Sequence, residues 1–313
     1  VRRRRAGVFG GNAALSCVGI AGAVARRPNA TADAREREGK ERSMELVSCH
    51  NHTVYSGHGE GTVEELCTAA VAAGATTLAI TEHYPLTEAW DPDGSVSMTW
   101  DQEVSYLSEI KAAQDVFSCL DLVCGCEVDW LGEREDRAFG PHAFDNYAWV
   151  LGSVHYLDGW AFDDPALVDT WKDHGSVDDI WRRYFEVWCE AATSPMPFDA
   201  MSHPDLVKKF GFFPSFDPLP LYEQAAEAAA SAGRMIEVNT SGAFCPCGQM
   251  YPAPALLAAF RRAGVECSVG SDAHAPQNVV RGIEDAYRLM REAGYRFVTV
   301  PTADGDRRRI PLE

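Results

Sequence analysis

Four times along this chain an Ala-Gly pair closes a helical stretch and an apolar run follows at once. The pairs are Ala73-Gly74, Ala232-Gly233, Ala263-Gly264 and Ala293-Gly294, and the runs behind them cover residues 76–81, 235–238, 265–269 and 297–300. Gly is favoured just past a helix end because it takes left-handed backbone without steric cost. Helix, Gly, strand repeated in this order predicts parallel strands joined by helical crossovers. Thr62 with Glu65 three residues on reads as a capping box, opening a helix that groups Val63, Leu66, Cys67 and Ala70 on one face. The middle of the chain has longer loops but keeps the rhythm. Residues 100–117 and 176–192 read as helices, and 44–49, 120–128, 147–155 and 198–202 as strands. About seven or eight strands in an α/β order predict a barrel, with a doubly wound open sheet as the alternative. No G-x-G-x-x-G follows the first strand, so a dinucleotide fold lacks its signature.

The histidines sit at the ends of these strands. The first strand runs into His50 and His52, with His58 in the loop behind, and the second ends at His83. The third ends at Glu127, within Gly125-Cys126-Glu127-Val128-Asp129, the fourth at His155 and the fifth at His203. The sixth ends at Asn239, and the seventh at Asp272 and His274. Side chains two apart on an extended segment point the same way, so His50 and His52 aim at one place. In α/β barrels the C-terminal strand ends converge on a single face. Seven of the nine histidines therefore look into one mouth, while His142 and His174 read as loop residues. One histidine there would be structural; seven by accident is improbable. Imidazole with carboxylate suits Zn, Mn or Fe better than Mg or Ca. Seven imidazoles plus Glu127 and Asp272 exceed the roughly four ligands of one tetrahedral ion, so two or three divalent ions are expected. Clustered ions of this kind suit phosphoester hydrolysis.

Charge narrows the partners. Residues 1–43 carry 10 Lys and Arg against 4 Asp and Glu, which leaves 18 against 42, a net charge of −24, for residues 44–313. A body this acidic argues against a nucleic-acid groove, and bound divalent cations would offset part of the charge locally; the partner expected from the ligand cluster is a small phosphorylated metabolite. No segment approaches the ~20 apolar residues of a membrane span. Residues 1–43 read differently from the rest: Arg2 to Arg5 precede a Gly/Ala-rich stretch and then a polar run. They are expected to be an extension ahead of a domain that spans 44–313, disordered or a misread start. The competing reading is a secretory signal, with Ala21-Gly22-Ala23 or Ala23-Val24-Ala25 as its small-residue site. Ten cysteines include Cys124-Gly-Cys126 and Cys245-Pro-Cys247, which lack the paired C-x-x-C spacing of zinc ribbons. Cys67, Cys189 and Cys267 read as core residues. A chain this long needs no disulfide staples, and a reduced, cytoplasmic setting is expected.

The set His50-x-His52, His58, Thr81-Glu82-His83, Gly125-Cys126-Glu127, Ser153-Val154-His155, Ser202-His203-Pro204 and Ser271-Asp272-Ala273-His274 resembles the polymerase-and-histidinol-phosphatase (PHP) superfamily of metallo-phosphoesterases. Gly152 to Tyr156 running on to Asp158-Gly159-Trp160-Ala161-Phe162-Asp163, Ser202 to Phe210, and Asn239-Thr240-Ser241-Gly242 are similar to its histidinol-phosphatase branch. The resemblance implies a distorted (β/α)7 barrel, TIM-barrel-like, with a trinuclear site. It implies one metal on His50, His52, Glu127 and Asp272, a second on His58, His83 and His274, and a third shared by Glu127, His155 and His203. It implies hydrolysis of L-histidinol phosphate. Two positions depart from the family pattern. Ser48 stands where the first motif often has Asp, and Ala243-Phe244-Cys245-Pro246-Cys247 replaces a loop that commonly holds basic residues.

The expected reaction is in-line attack on a phosphate monoester by a water whose pKa metals lower from ~15.7 towards ~7. Asp272 and His274 are the candidates to assist the leaving alkoxide. Arg182, Arg183, Lys208 and Lys209 are candidates to hold the phosphate, because forked guanidinium groups and ammonium groups suit its oxygens; for Arg182 and Arg183 a solvated helix face is the competing reading. Asn239 joins them as a substrate-binding candidate. A lost charge-assisted hydrogen bond at Phe244-Cys245 costs roughly 1.5–3 kcal/mol unless another cation, Lys209 or Arg182, reaches the phosphate. Rival readings are a phosphoesterase for another small metabolite or nucleotide, an amidohydrolase, and a non-catalytic metal-binding module. Residues 1–43 offer neither apolar periodicity nor candidate ligands. A chain starting at Met44 is thus expected to fold and keep full activity at equal metal loading, as thermal melts and turnover would show; an insoluble product would place the arm inside the domain.

Overall fold

The protein was analysed as a computed structural model that describes residues 44–132, 139 and 142–312. The expected N-terminal extension, residues 1–43, lies outside the described residues. Seven strands form one parallel sheet in chain order: β1 (Leu46–Ser48), β2 (Ala75–His83), β3 (Asp121–Asp129), β4 (Trp149–Ser153), β5 (Ala200–Met201), β6 (Met235–Asn239) and β7 (Cys267–Gly270). The sheet curls until its first and last strands meet. Cys49 N donates to Val269 O at 2.9 Å, His52 N to Ala273 O at 2.7 Å, and Asn51 pairs with Ala273 in a parallel bridge. The result is the nearly closed, distorted (β/α)7 barrel that the family resemblance implies, built from the parallel strands that the helix–Gly–strand rhythm predicts. An open sheet is ruled out.

The helices are α1 (Val63–Ala72), α2 (Trp100–Val116), α3 (Val177–Thr193), α4 (Leu219–Ala232), α5 (Pro254–Arg262) and α6 (Ile283–Glu292). Thr62 and Glu65 form the expected capping box on α1, and Thr99 with Gln102 forms another on α2. All four Ala-Gly glycines take left-handed backbone, φ 82° at Gly74, 66° at Gly233, 80° at Gly264 and 92° at Gly294. That conformation ends each helix and turns the chain towards the sheet. The wide apolar stripe of α3 buries Trp181, Tyr184, Phe185 and Trp188. Tyr106 of α2 reaches into the sheet, its hydroxyl between Ile80 O at 2.7 Å and Gly125 O at 2.8 Å.

The fourth Ala-Gly pair is followed by a strand of another kind. β8 (Phe297–Pro301) is not an eighth barrel strand; it pairs antiparallel with β9 (Arg307–Pro311). Only five residues separate the two strands, too few for a crossover helix, so the chain folds straight back. This hairpin lies across the N-terminal strand ends, opposite the histidines. Arg308 bonds Glu45 and Thr77 ahead of and within β1 and β2, Ala303 N bonds Asp121 of β3, and Arg307 bonds Asp199 ahead of β5. Val298, Val300 and Ile310 are buried beneath it. Among the described residues every cysteine is free, and no helix is long and apolar enough to cross a membrane. Ile310→Ala is expected to cost about 2–5 kcal/mol of stability through the cavity it leaves. The denaturant midpoint measures this, and a shift worth less than about 0.5 kcal/mol would mean the hairpin is not part of the core.

Candidate metal centre

Glu127, at the end of β3, stands between two groups of imidazoles. Its Oε2 lies 3.2 Å from His50 Nε2, 3.4 Å from His52 Nε2 and 3.3 Å from His83 Nδ1. Its Oε1 lies 2.8 Å from His203 Nε2 and 3.7 Å from His155 Nε2. Asp272 Oδ1 completes the first group, 3.5 Å from His50 Nε2 and 3.4 Å from His52 Nε2. His50 and His52 point together, as side chains two apart on extended backbone do, and their Nε2 atoms are 2.9 Å apart. Two ring nitrogens at that distance cannot both carry protons. His155 and His203 repeat the arrangement, Nε2 to Nε2 at 3.3 Å. His274 Nε2 is buried without a hydrogen-bond partner. Facing lone pairs, carboxylates and a buried nitrogen without a donor are what divalent transition metals satisfy.

Donor atoms within 4.8 Å of one another form the groups His50/His52/Asp272, His52/His83/His274, Glu127/His155/His203 and His83/Asp129/His155. The first and third agree with the ligand sets that the resemblance implies. The second differs, with His52 in the place expected for His58. His58 lies at the cavity wall, its ring centroid 4.7 Å from that of His274 and its Nδ1 3.4 Å from Ser95 O. A proton on Nδ1 shared with that carbonyl leaves Nε2 as its lone-pair nitrogen.

Behind these residues lies a layer of carboxylates that the motif reading did not assign. Glu237 of β6 holds His50 Nδ1 at 2.9 Å through Oε1 and accepts from His203 N at 3.1 Å and Asn239 Nδ2 at 3.0 Å through Oε2. Asp129 holds His155 Nδ1 at 2.6 Å. Ser202 Oγ donates to Glu127 Oε1 at 3.0 Å. Fixing one ring nitrogen leaves the other as the ligand atom. Gly270 makes the approach of Glu237 to His50 possible, because a Cβ there would fall 2.2 Å from Glu237 Oε1 and 2.4 Å from His50 Cβ. The signal was present: Glu237 interrupts an apolar strand two residues before Asn239, and Asp129 follows Glu127 by two. Strain is also local. His203 and Asp272 are non-glycine residues with φ of 25° and 52°, a conformation that persists where surroundings enforce it.

The electrostatics keep the carboxylates charged. Burial opposes the charge on Glu127, but His50, His155 and His83 hold its pKa well below the usual range, and Asp272 is lowered by His50 and His52 in the same way. Burial by itself would depress His52, but hydrogen bonds to Asp272 and Glu127 outweigh it and hold the imidazole at about 9. His274 is pushed down to about 3 by burial, with the charge of His52 next. Burial also raises Glu82, whose Oε1 accepts from Thr53 N at 2.6 Å, to about 7.

A cavity of about 630 Å³ opens over the cluster, lined by His58, His83, Glu127, His155, His203, Asp272 and His274 together with Lys209, Asp163, Asp164 and Tyr251. Of the expected phosphate-holding residues only Lys209 lines it, with Nζ 2.9 Å from Asp163 Oδ2. Lys208 is wholly buried and turned away, bonded to Asp205 and to Met250 O at 2.8 Å each, so it clamps the segment before Tyr251. Arg182 stacks on Phe216, its Cζ 4.2 Å from the ring centroid, and Arg183 forks onto Asp158 at 2.7 and 3.0 Å. Both lie on the exposed side of α3, where the 3.6-residue period puts them once Trp181 and Tyr184 face inward. Asn239 is buried and steadies Asp272 Oδ2 at 3.3 Å. Cys245 lines the cavity, and Phe244 carries the guanidinium of Arg281 on its ring at 3.3 Å. A cation from the loop after β7 thus stands beside the loop that lacks one. His142 pairs with Asp145 at 2.8 Å and His174 stacks on Trp160 at 4.0 Å, both outside the cluster as expected.

A parallel barrel with buried imidazoles and carboxylates gathered at its C-terminal mouth defines a metal-binding barrel of the hydrolase class. A family model for the PHP domain matches residues 48–241. A Deinococcus radiodurans protein named "Probable histidinol-phosphatase" is 36% identical over 259 residues, covering 81% of this chain and 96% of that protein. The chain belongs to the PHP domain family. A Thermotoga maritima protein of the same name is 22% identical over 82% of this chain and 95% of its own length. The structure of a Lactococcus lactis histidinol phosphate phosphatase, complexed with zinc, L-histidinol and phosphate, superposes with a TM-score of 0.64 at 18% identity over 83% of this chain and 98% of that one. It shows a shared fold.

Glu127→Ala is expected to lower the metal content of the purified protein, because both imidazole groups lose a ligand atom at once. Elemental analysis after growth with ample metal checks this. Wild-type content in the variant would exclude a bridging carboxylate.

Proposed function

We propose that this chain is a histidinol-phosphate phosphatase, hydrolysing L-histidinol phosphate to L-histidinol and phosphate within histidine biosynthesis in the cytoplasm. The observation that carries the reading is Glu127, whose two oxygens face two imidazole groups under a cavity that holds Lys209. Kinship with the Deinococcus radiodurans protein over most of both chains supports the choice of substrate. Residues 44–313 form the working domain in this proposal. Two to three divalent ions of zinc, manganese or iron are held by His50, His52, Glu127 and Asp272, by His83 and His274 with His52 or His58, and by His155 and His203 with Glu127. Such ions, when bound, supply an activated water near neutral pH and neutralise charge on the phosphoryl oxygens.

The chain's own residues then bind and orient. Lys209 offers its ammonium to a phosphate oxygen from the cavity wall, a charge-assisted contact. Asn239 and Ser241 hold Asp272 Oδ2 at 3.3 and 3.2 Å, which fixes its other oxygen towards His50 and His52. His274 Nδ1 lies 3.1 Å from Asp272 O, which turns its other ring nitrogen, buried and without a hydrogen-bond partner, towards the cluster, where His274 and Asp272 stand as the candidates to assist the leaving alkoxide.

Turnover of histidinol phosphate, nucleotides and sugar phosphates with added Mn or Zn tests the reading. Histidinol phosphate is expected to give the highest kcat/KM, and Lys209→Met to lower it about ten- to a hundredfold. Rapid cleavage of another phosphomonoester with none of histidinol phosphate would discard the substrate and keep the phosphomonoesterase.

A further inference from the structure

Behind one wall of the cavity sits a buried carboxylate that belongs to no ligand group. Asp91, in the loop between β2 and α2, is 8% exposed, and four hydrogen-bond donors turn towards it. Its Oδ1 accepts from Ser95 N at 2.9 Å. Its Oδ2 accepts from Ser97 N at 2.9 Å, Ser97 Oγ at 3.0 Å and Val96 N at 3.2 Å. Three successive amides on one carboxylate are charge-assisted bonds, and they fix the course of residues 95–97. Ser95 and Val96 line the cavity, and so does His58.

Peptide geometry links Asp91 to His58. A trans peptide is planar, with its N–H and C=O pointing in opposite directions. The bond that draws Val96 N–H towards Asp91 therefore turns the carbonyl of the same peptide, Ser95 O, away from it. That oxygen lies 3.4 Å from His58 Nδ1. Gly57 leaves room for the approach, because a Cβ there would fall 2.7 Å from Ser95 O. The loop backbone around His58 is held separately, by His58 N to Ser56 O at 2.8 Å and Glu60 N to His274 O at 2.7 Å. The ring of His58 stacks on that of His274, centroids 4.7 Å apart, a contact that either flip of the imidazole satisfies. A carbonyl beside Nδ1 chooses between the flips: it takes the proton there and leaves Nε2, with its lone pair, for the cluster.

We propose that Asp91 is a positioning residue for His58: through the Ser95–Val96 peptide it holds a carbonyl on Nδ1, which fixes the tautomer and aims Nε2 as a metal ligand. The proposal rests on the metal centre of the phosphatase reading and adds a residue that touches neither metal nor substrate. His58 projects from an exposed loop. Without the carbonyl its ring has two flips, and one ion loses a fixed ligand.

Two measurements on the zinc-loaded protein test this. Titration with a competing chromophoric chelator gives the affinity for each ion. Nitrogen-15 NMR of labelled histidines reports which ring nitrogen of His58 binds zinc, its signals assigned by their loss in His58→Ala. The wild type is expected to show zinc on His58 Nε2 and a proton on Nδ1. Asp91→Ala is expected to loosen one ion about ten- to a hundredfold, the range for lost support behind a ligand, and to weaken the Nε2-bound signal. Asp91→Asn keeps one acceptor oxygen and is expected to fall between. In a His58→Ala background Asp91→Ala is expected to add less than about threefold, because both changes act on the same ion, whereas a merely structural loss adds in full. Melting curves check the fold, and Asp91→Asn carries the test if Asp91→Ala does not fold. Wild-type zinc affinities with an unchanged His58 signal in the Asp91 variants, or full additivity with His58→Ala, overturn the proposal. A wild type that binds no zinc overturns the metal centre along with it. Zinc binding as described without cleavage of histidinol phosphate would instead sink the named substrate and leave the role of Asp91 standing.

Discussion

The barrel's functional end depends on a buried carboxylate that could not stay charged alone. Moving an isolated carboxylate out of water costs several kcal/mol even after relaxation, and Glu127 is almost fully buried. Imidazoles facing each of its two oxygens offset that cost. The imidazoles need neighbours too, and Glu237 and Asp129 supply them from behind. The charge is therefore shared through a network, and each member sits where another requires it. Gly270 belongs to that network as much as the histidines do, because only a missing side chain lets Glu237 reach His50.

The barrel divides its two ends between chemistry and closure. At the C-terminal strand ends the chain spends its polar residues and tolerates positive φ at His203 and Asp272. At the N-terminal ends the β8–β9 hairpin ties strand starts together through Arg307 and Arg308 and buries Val298, Val300 and Ile310. These exposed or half-exposed ion pairs contribute little each, so the hairpin's packing matters more than its charges. A strained mouth on a firmly closed base fits a site that must hold several side chains in fixed register.

The basic residues show how context assigns roles. Lys208 and Lys209 are adjacent, yet one is locked under Tyr251 by Asp205 and the other lines the cavity. Arg281, far in sequence from Phe244, lies flat on its ring and sets a positive charge beside a loop that has none of its own. Which cation faces the cavity is thus decided by tertiary contacts and not by position along the chain.

The sequence by itself determined the architecture and the ligand types. Local rules carry that information: Gly after a helix, capping boxes at Thr62, a period of two at His50 and His52, and polar residues recurring at strand ends. Those rules also pointed to His58, but only the tertiary structure shows that its ring stands beside the group in which His52 takes its place. The antiparallel course of β8 was not legible, because an Ala-Gly pair ends a helix without saying which way the next strand pairs. The helical period offered the solvated face that Arg182 and Arg183 take, but the separate fates of Lys208 and Lys209 were not legible, since an ammonium group reads the same wherever it lies along the chain. What such a group does depends on which carboxylate lies within about 3 Å, and that is set by contacts between residues tens to hundreds of positions apart. Glu237 behind His50, 187 residues away, is the clearest case: its presence in an apolar strand was visible, and its partner was decided only when the barrel closed.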